Sequence, residues 1–150
     1  MNKKAFTLIE LLLVIAIIGI LSSITLAALN ATRDKSKDAK IKAELAQLNA
    51  SAELYFDSNG HYGTETNSCL GVGSFFVSTS PANLISAAEF TSGTSATCVS
   101  DNDSGSVGNA TSWAVSVPLK TDPLTSWCAN SIGVSQIGTA QISGNQAVCI

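Results

Sequence analysis

Nineteen consecutive residues without a charge, Leu11 to Leu29, decide what this chain can fold into. A helix of that length, at about 1.5 Å per residue, covers the roughly 30 Å hydrocarbon core of a bilayer. The run exceeds the apolar core of an ordinary secretory signal, about 7–15 residues, and no small-x-small cleavage site closes it. Hiding it inside a soluble protein needs a body much larger than 150 residues provide. The first expectation is therefore one membrane-spanning helix near the N-terminus. A single carboxylate, Glu10, stands at the start of that helix with apolar residues on both sides. An acid in such a place is costly and marks a functional position by default.

The helix does not stop where the charges begin. Residues 33–57, "RDKSKDAKIKAELAQLNASAELYFD", contain neither proline nor glycine. Ile41, Leu45, Leu48, Ala52 and Tyr55 follow one another at steps of four, three, four and three, which puts them on one helix face. Asn59-Gly60 reads as the stop, Gly60 being free to take the left-handed conformation past the last turn. The expectation is one helix of about fifty residues, hence about 75 Å long. Its membrane half spans residues 6–29 and its amphipathic half residues 30–60.

Residues 61–150 are rich in Gly, Ser, Thr and Asn. "STSPANLISAAEF" predicts a short helix with Ser80 as N-cap and Pro81 in the first helical position. "SWAVSVPLK" alternates, so Trp113, Val115, Val117 and Leu119 share one strand face, and Pro118 makes the strand an edge or ends it. "SWCANSIGVS" and "NQAVCI" are expected as neighbouring strands joined through a glycine-containing turn. The predicted fold is α+β: a long N-terminal helix packed on a small antiparallel β head.

Charge is unevenly placed. Two lysines, Lys3 and Lys4, precede the apolar run, and Arg33, Lys35, Lys37, Lys40 and Lys42 follow it. Beyond residue 42, Lys120 faces eight acids, a net −7 against −3 for the whole chain, which speaks against a nucleic-acid partner. Counted naively, the basic residues put the C-terminal part in the cytoplasm, but long domains translocate largely regardless of charge. Cys69, Cys98, Cys128 and Cys149 are an even set in a small loop-rich domain, which suits an oxidising compartment. The head is therefore expected outside. Four cysteines allow three pairings; the sequential one, Cys69–Cys98 and Cys128–Cys149, is chosen because it closes two local loops.

Lys3-Lys4-Ala5 followed by Phe6-Thr7-Leu8-Ile9-Glu10-Leu11 resembles the processing site of bacterial type IV prepilins and type II secretion pseudopilins. "WCANSIG" with a final Cys149 is similar to the C-terminal loop of some pilins. The resemblance implies a pilin-like fold and a leader, Met1 to Ala5, removed between Ala5 and Phe6 by a membrane prepilin peptidase that also N-methylates Phe6. Phe6 and Glu10 then take the assembly role. The implied partners are identical or related subunits, the inner-membrane assembly machinery, and membrane lipid before assembly. The implied location is single-pass in the inner membrane, N-terminus cytoplasmic and head extracytoplasmic, and later an extracellular pilus. Two departures stand out: Ala5 occupies a position usually held by glycine, and residues 20–30 lack the proline many members carry.

Other signals are weaker. Asp101 and Asp103 in "DNDSG" offer hard oxygen ligands for calcium, but an EF-hand loop needs Gly sixth and Glu twelfth, and here Gly105 is fifth and Ser112 twelfth. A polar surface loop is the preferred reading. His61, the sole histidine, has no nucleophile or second base near it in sequence and reads as a solvated turn residue. No phosphate-binding glycine motif or nucleophile elbow occurs, so no catalytic residue and no cofactor is expected. Trp113 and Trp127 read as packing residues. The expected function is a structural subunit of a type IV pilus. The alternatives are a type II secretion pseudopilin or a permanently anchored extracytoplasmic binding domain.

Overall fold

In the computed structural model, residues 6–77, 96–101 and 108–150 are described, with the side chains of residues 26–28 left aside. Helix α1 runs unbroken from Leu8 to Asn59, 52 residues. At about 1.5 Å per residue that is about 78 Å. Gly60 closes it in the left-handed region at φ 74°, its N–H donating to the Phe56 carbonyl at 2.6 Å. The first half of α1 is exposed all round, from Leu8 through Ile24 and Leu29. Its apolar window has a mean hydropathy of 2.7 and nothing packed over it.

The second half is the spine of the head. Ile41, Leu45, Leu48 and Ala52 are buried, with Tyr55 and Phe56 half-buried beside them. Each buried leucine contributes about 1.5–3 kcal/mol against leaving it in water. They pack on an antiparallel sheet of strands β1 (Thr97–Asp101), β2 (Ser112–Pro118), β3 (Ser126–Asn130) and β4 (Ser135–Ile137), in that order. Trp113, Val115, Val117 and Ala129 share the helix-facing core with Tyr62, Phe75 and Phe76 from the connecting segment. Ring centroids of Phe75 lie 5.3 Å from Trp113 and 4.4 Å from Phe76. Residues 30–60 and 61–150 thus share one core.

A second sheet, the hairpin of β5 (Ala140–Ser143) and β6 (Gln146–Cys149), covers the other face of the first. Val99, Ala114, Cys128, Ala140 and Ala147 form the core between the two sheets. Two buried serines pin this layer: Ser116 Oγ accepts from Ala140 N–H at 3.0 Å, and Ser112 Oγ from Ala147 N–H at 2.9 Å.

Three expectations need correction. The strand in "SWAVSVPLK" is no edge: β2 lies between β1 and β3 and ends at Pro118, and the hairpin covers its second face, so it is buried from Ser112 through Val117. Strands β3 and β6 are not hydrogen-bonded neighbours; β3 lies between β2 and β4, and β6 pairs with β5 in the other layer. His61 is half-buried, its Nδ1 accepting from the Gly63 N–H at 2.8 Å, so the ring is part of the turn. The short helix expected over residues 78–90 lies outside the described residues.

Gly63 is required by its surroundings. Its φ is 84°, and a Cβ there would stand 2.3 Å from the Gly73 carbonyl oxygen across the bridge to Ser74.

Candidate functional site

Three features of the helix and its attachment to the head stand out. The first is its N-terminus. Thr7 is the N-cap, in an extended conformation at φ −82° and ψ 151°. Its Oγ1 accepts from the Glu10 N–H at 3.3 Å, while the Glu10 carboxylate accepts from the Thr7 N–H at 2.9 Å and from the Thr7 hydroxyl at 2.8 Å. This reciprocal capping box satisfies donors that the first helical turn leaves unpaired. The acid also stands at the positive end of the helix dipole. Phe6, just ahead of the cap, is exposed. Residues Met1 to Ala5 lie outside the described residues, so the bond between Ala5 and Phe6 carries no geometry here. The bond between Thr7 and Glu10 has a local signal that the assembly expectation for Glu10 does not use: Thr-x-x-Glu ahead of an apolar run is the recognised capping signature.

The second feature is the clasp between helix and head. Asp38, buried on α1, accepts from the Lys120 N–H at 2.5 Å and the Thr121 N–H at 3.2 Å, and from the Thr121 hydroxyl. Burial works to raise the Asp38 pKa, but these hydrogen bonds and the nearby Lys42 ammonium outweigh it and hold the carboxyl below its usual value. Lys42 lies over the Trp127 ring, 4.3 Å from its centroid. Tyr62 donates to Glu53 on the helix at 3.0 Å. Burial chiefly, then the Glu53 carboxylate, pushes that phenol up to about 12, against a smaller opposing contact from Trp113. Sequence reasoning missed Asp38: an acid among five basic residues looks solvated, and nothing local marks the distant loop that binds it.

The third feature is covalent. Cys69 is bonded to Cys98, fastening the connecting segment to β1, and Cys128 to Cys149, fastening β3 of one sheet to β6 of the other. No cysteine is free.

The calcium candidates stand apart from this. Asp101 ends β1 beside a cleft of about 390 Å³ that Glu65, Thr66, Asn67 and Ser100 also line. Asp103 lies outside the described residues. Among the described residues no group of three or more His, Cys, Asp or Glu side chains converges.

Comparison with known proteins adds to this geometry. Residues 1–26 match the model of the prokaryotic N-terminal methylation motif. The chain is 31% identical over 119 residues to the type IV wide pilus major component of Thermus thermophilus, covering 79% of this chain and 85% of that protein. It is 30% identical to the type IV major alpha-pilin of Moraxella bovis, covering 97% and 89% respectively. Over 63 residues it is 32% identical to the type II secretion system core protein G of Escherichia coli, 42% of this chain and 43% of that protein. No solved structure matches the chain.

Proposed function

Because this chain belongs to the bacterial type IV pilin and pseudopilin family, a family of structural subunits and not of enzymes, we propose that it is the polymerising subunit of a type IV pilus. It waits in the inner membrane with residues 6–29 across the bilayer and the head outside. The leader Met1 to Ala5 is cut away and Phe6 is N-methylated by the prepilin peptidase. The helix then leaves the lipid for the core of a fibre of like subunits, driven by the inner-membrane assembly machinery.

The observation that supports a pilus over a pseudopilus is the reach of the likeness. Both pilin relatives align across most of the chain, so their similarity runs into the disulfide-bonded head. Core protein G aligns over less than half of it. The exposed apolar half of α1 suits both stages, since its surface can face either lipid or the helices of other subunits. A passive anchor uses Glu10 only as a helix cap. An assembling helix has a further use for it, since the new α-amino group of an arriving Phe6 can neutralise it, and a buried charge pair forms only at good geometry.

Surface filaments sheared from cells and decorated with antibody to the head test this reading. Labelled filaments that vanish on deletion of the gene support it. Intact filaments together with failed export of a secreted enzyme point to the pseudopilin alternative.

A further inference from the structure

The short stretch of α1 between the apolar run and the head is strongly basic, and the function above gives it no task. Arg33, Lys35, Lys37, Lys40 and Lys42 fall within ten residues, and all five are exposed. With the head outside, basic residues stand where the positive-inside tendency disfavours them.

Three of the five have partners within the chain: Lys37 with Asp34 at 3.4 Å, Lys40 with Glu44 at 3.2 Å, and Lys42 on Trp127. Arg33 and Lys35 have no carboxylate partner among the described residues. They are also the nearest to the membrane, about 6 Å and 9 Å along the axis beyond Leu29. Both precede Asp38, the first buried residue among the described side chains of α1, so they stand on exposed helix. Helix side chains lean toward the helix N-terminus, here toward the bilayer, and long basic stems carry their charge to headgroup level.

The distribution around the axis identifies the partner. At about 100° per residue, Lys37 points about 40° from Arg33, while Lys35 points about 160° away on the far side. A single docked protein covers one side of a helix, and the surrounding helices of a fibre are met only after the subunit leaves the membrane. A headgroup layer surrounds it.

We infer that Arg33, Lys35 and Lys37 form a collar that binds the phosphates of anionic phospholipids in the leaflet facing the head, fixing the depth of the inserted subunit. The inference rests on the membrane-stored reading above. Lys37, about 12 Å beyond Leu29, reaches headgroup level only through its stem leaning back toward the bilayer, and screening over about 8 Å at physiological salt shuts out residues farther along. Lys40, about 17 Å beyond Leu29 and paired with Glu44, adds little.

The test uses the full chain reconstituted with equal parts phosphatidylglycerol and phosphatidylcholine. Lipids retained on the protein are then measured by native mass spectrometry. Wild type should retain phosphatidylglycerol preferentially. The triple variant Arg33→Gln, Lys35→Gln, Lys37→Gln should lower that preference about tenfold, as high salt should, while Lys40→Gln leaves it within about twofold. An inserted wild type that retains both lipids equally overturns the collar alone, as does an unchanged preference in the triple variant. If that variant keeps its preference but loses cross-links between subunits, the residues serve a second copy and the lipid assignment is wrong. A wild type that alkaline carbonate strips from the vesicles overturns the membrane-stored reading, and the collar with it.

Discussion

The carboxylate of Asp38 on the helix is held by Thr121, 83 residues away, through both its backbone N–H and its hydroxyl. With the Lys120 N–H, this makes the loop after β2 a strap over the helix at the point where the head begins. Under the proposed function, in which the subunit leaves the membrane lengthwise, such a strap would tie the helix to the domain that travels with it.

Replacing Asp38 with alanine leaves two loop N–H groups without their acceptor. That should cost about 2–4 kcal/mol of head stability, read from denaturant unfolding of the detergent-solubilised chain. The pH dependence has a definite sign. Because the folded carboxyl titrates below its unfolded value near 4, its stabilisation is complete above that value and is lost as pH falls through the folded pKa. Asp38→Asn should flatten the acid limb of the stability profile below about pH 4. An acid limb equally steep in wild type and variant would remove Asp38 from this role.

Cys69–Cys98 and Cys128–Cys149 close loops of 29 and 21 residues, and each bridge is expected to contribute about 3 kcal/mol. Peptide mapping without reduction should recover these two links. The paired variant Cys128→Ser, Cys149→Ser should loosen the β5–β6 hairpin from the first sheet, so its amides exchange faster than those of β2. Uniform acceleration across the head would mean that the hairpin is not a separable layer.

The helix was legible because its signals agree at every level: no breaker except Gly19, apolar steps of four and three, and a glycine at its end. The strand around Trp113 was legible on one face only. Its other face carries Ser112, Ala114 and Ser116, small residues that look solvent-facing until Ala140 and Ala147 of the hairpin arrive to cover them. β4 escaped notice because its three residues are all exposed and carry no alternation to read. Asp38 and its strap were illegible for the same reason: the partner is set by the tertiary fold. At the N-terminus the limit was different, since Thr7 and Glu10 announce the capping box within four residues.

Processing gives a direct mass test. Removing Met1 to Ala5 from the 150 residues leaves 145 beginning at Phe6. N-terminal mass spectrometry of filament material should find that species carrying one added methyl group. Ala5 keeps a small side chain at the cut, so Ala5→Gly should speed cleavage without moving it. A dominant species that still begins at Met1 would sink the leader assignment.

The capping box gives Glu10 a second task, and the two can be separated. If the carboxylate serves only to start the helix, removing either partner of the box has the same consequence, since Thr7 and Glu10 satisfy each other. If it also receives the amine of an arriving Phe6, the two partners differ: Thr7→Val keeps the charge and Glu10→Leu does not. Both variants should insert and be cleaved, the second inserting more readily because its span has lost its one charge. Filament yield should fall modestly in Thr7→Val, where the cap hydroxyl is gone but the acid still faces the next subunit. It should fall by tenfold or more in Glu10→Leu when that variant is the sole subunit, a difference of roughly 1.4 kcal/mol or above in the assembly step. Glu10→Asp keeps the charge on a shorter arm and should recover part of the yield. Equal losses in Thr7→Val and Glu10→Leu, measured at matched protein levels, would reduce the carboxylate to a helix cap and end its assignment to assembly.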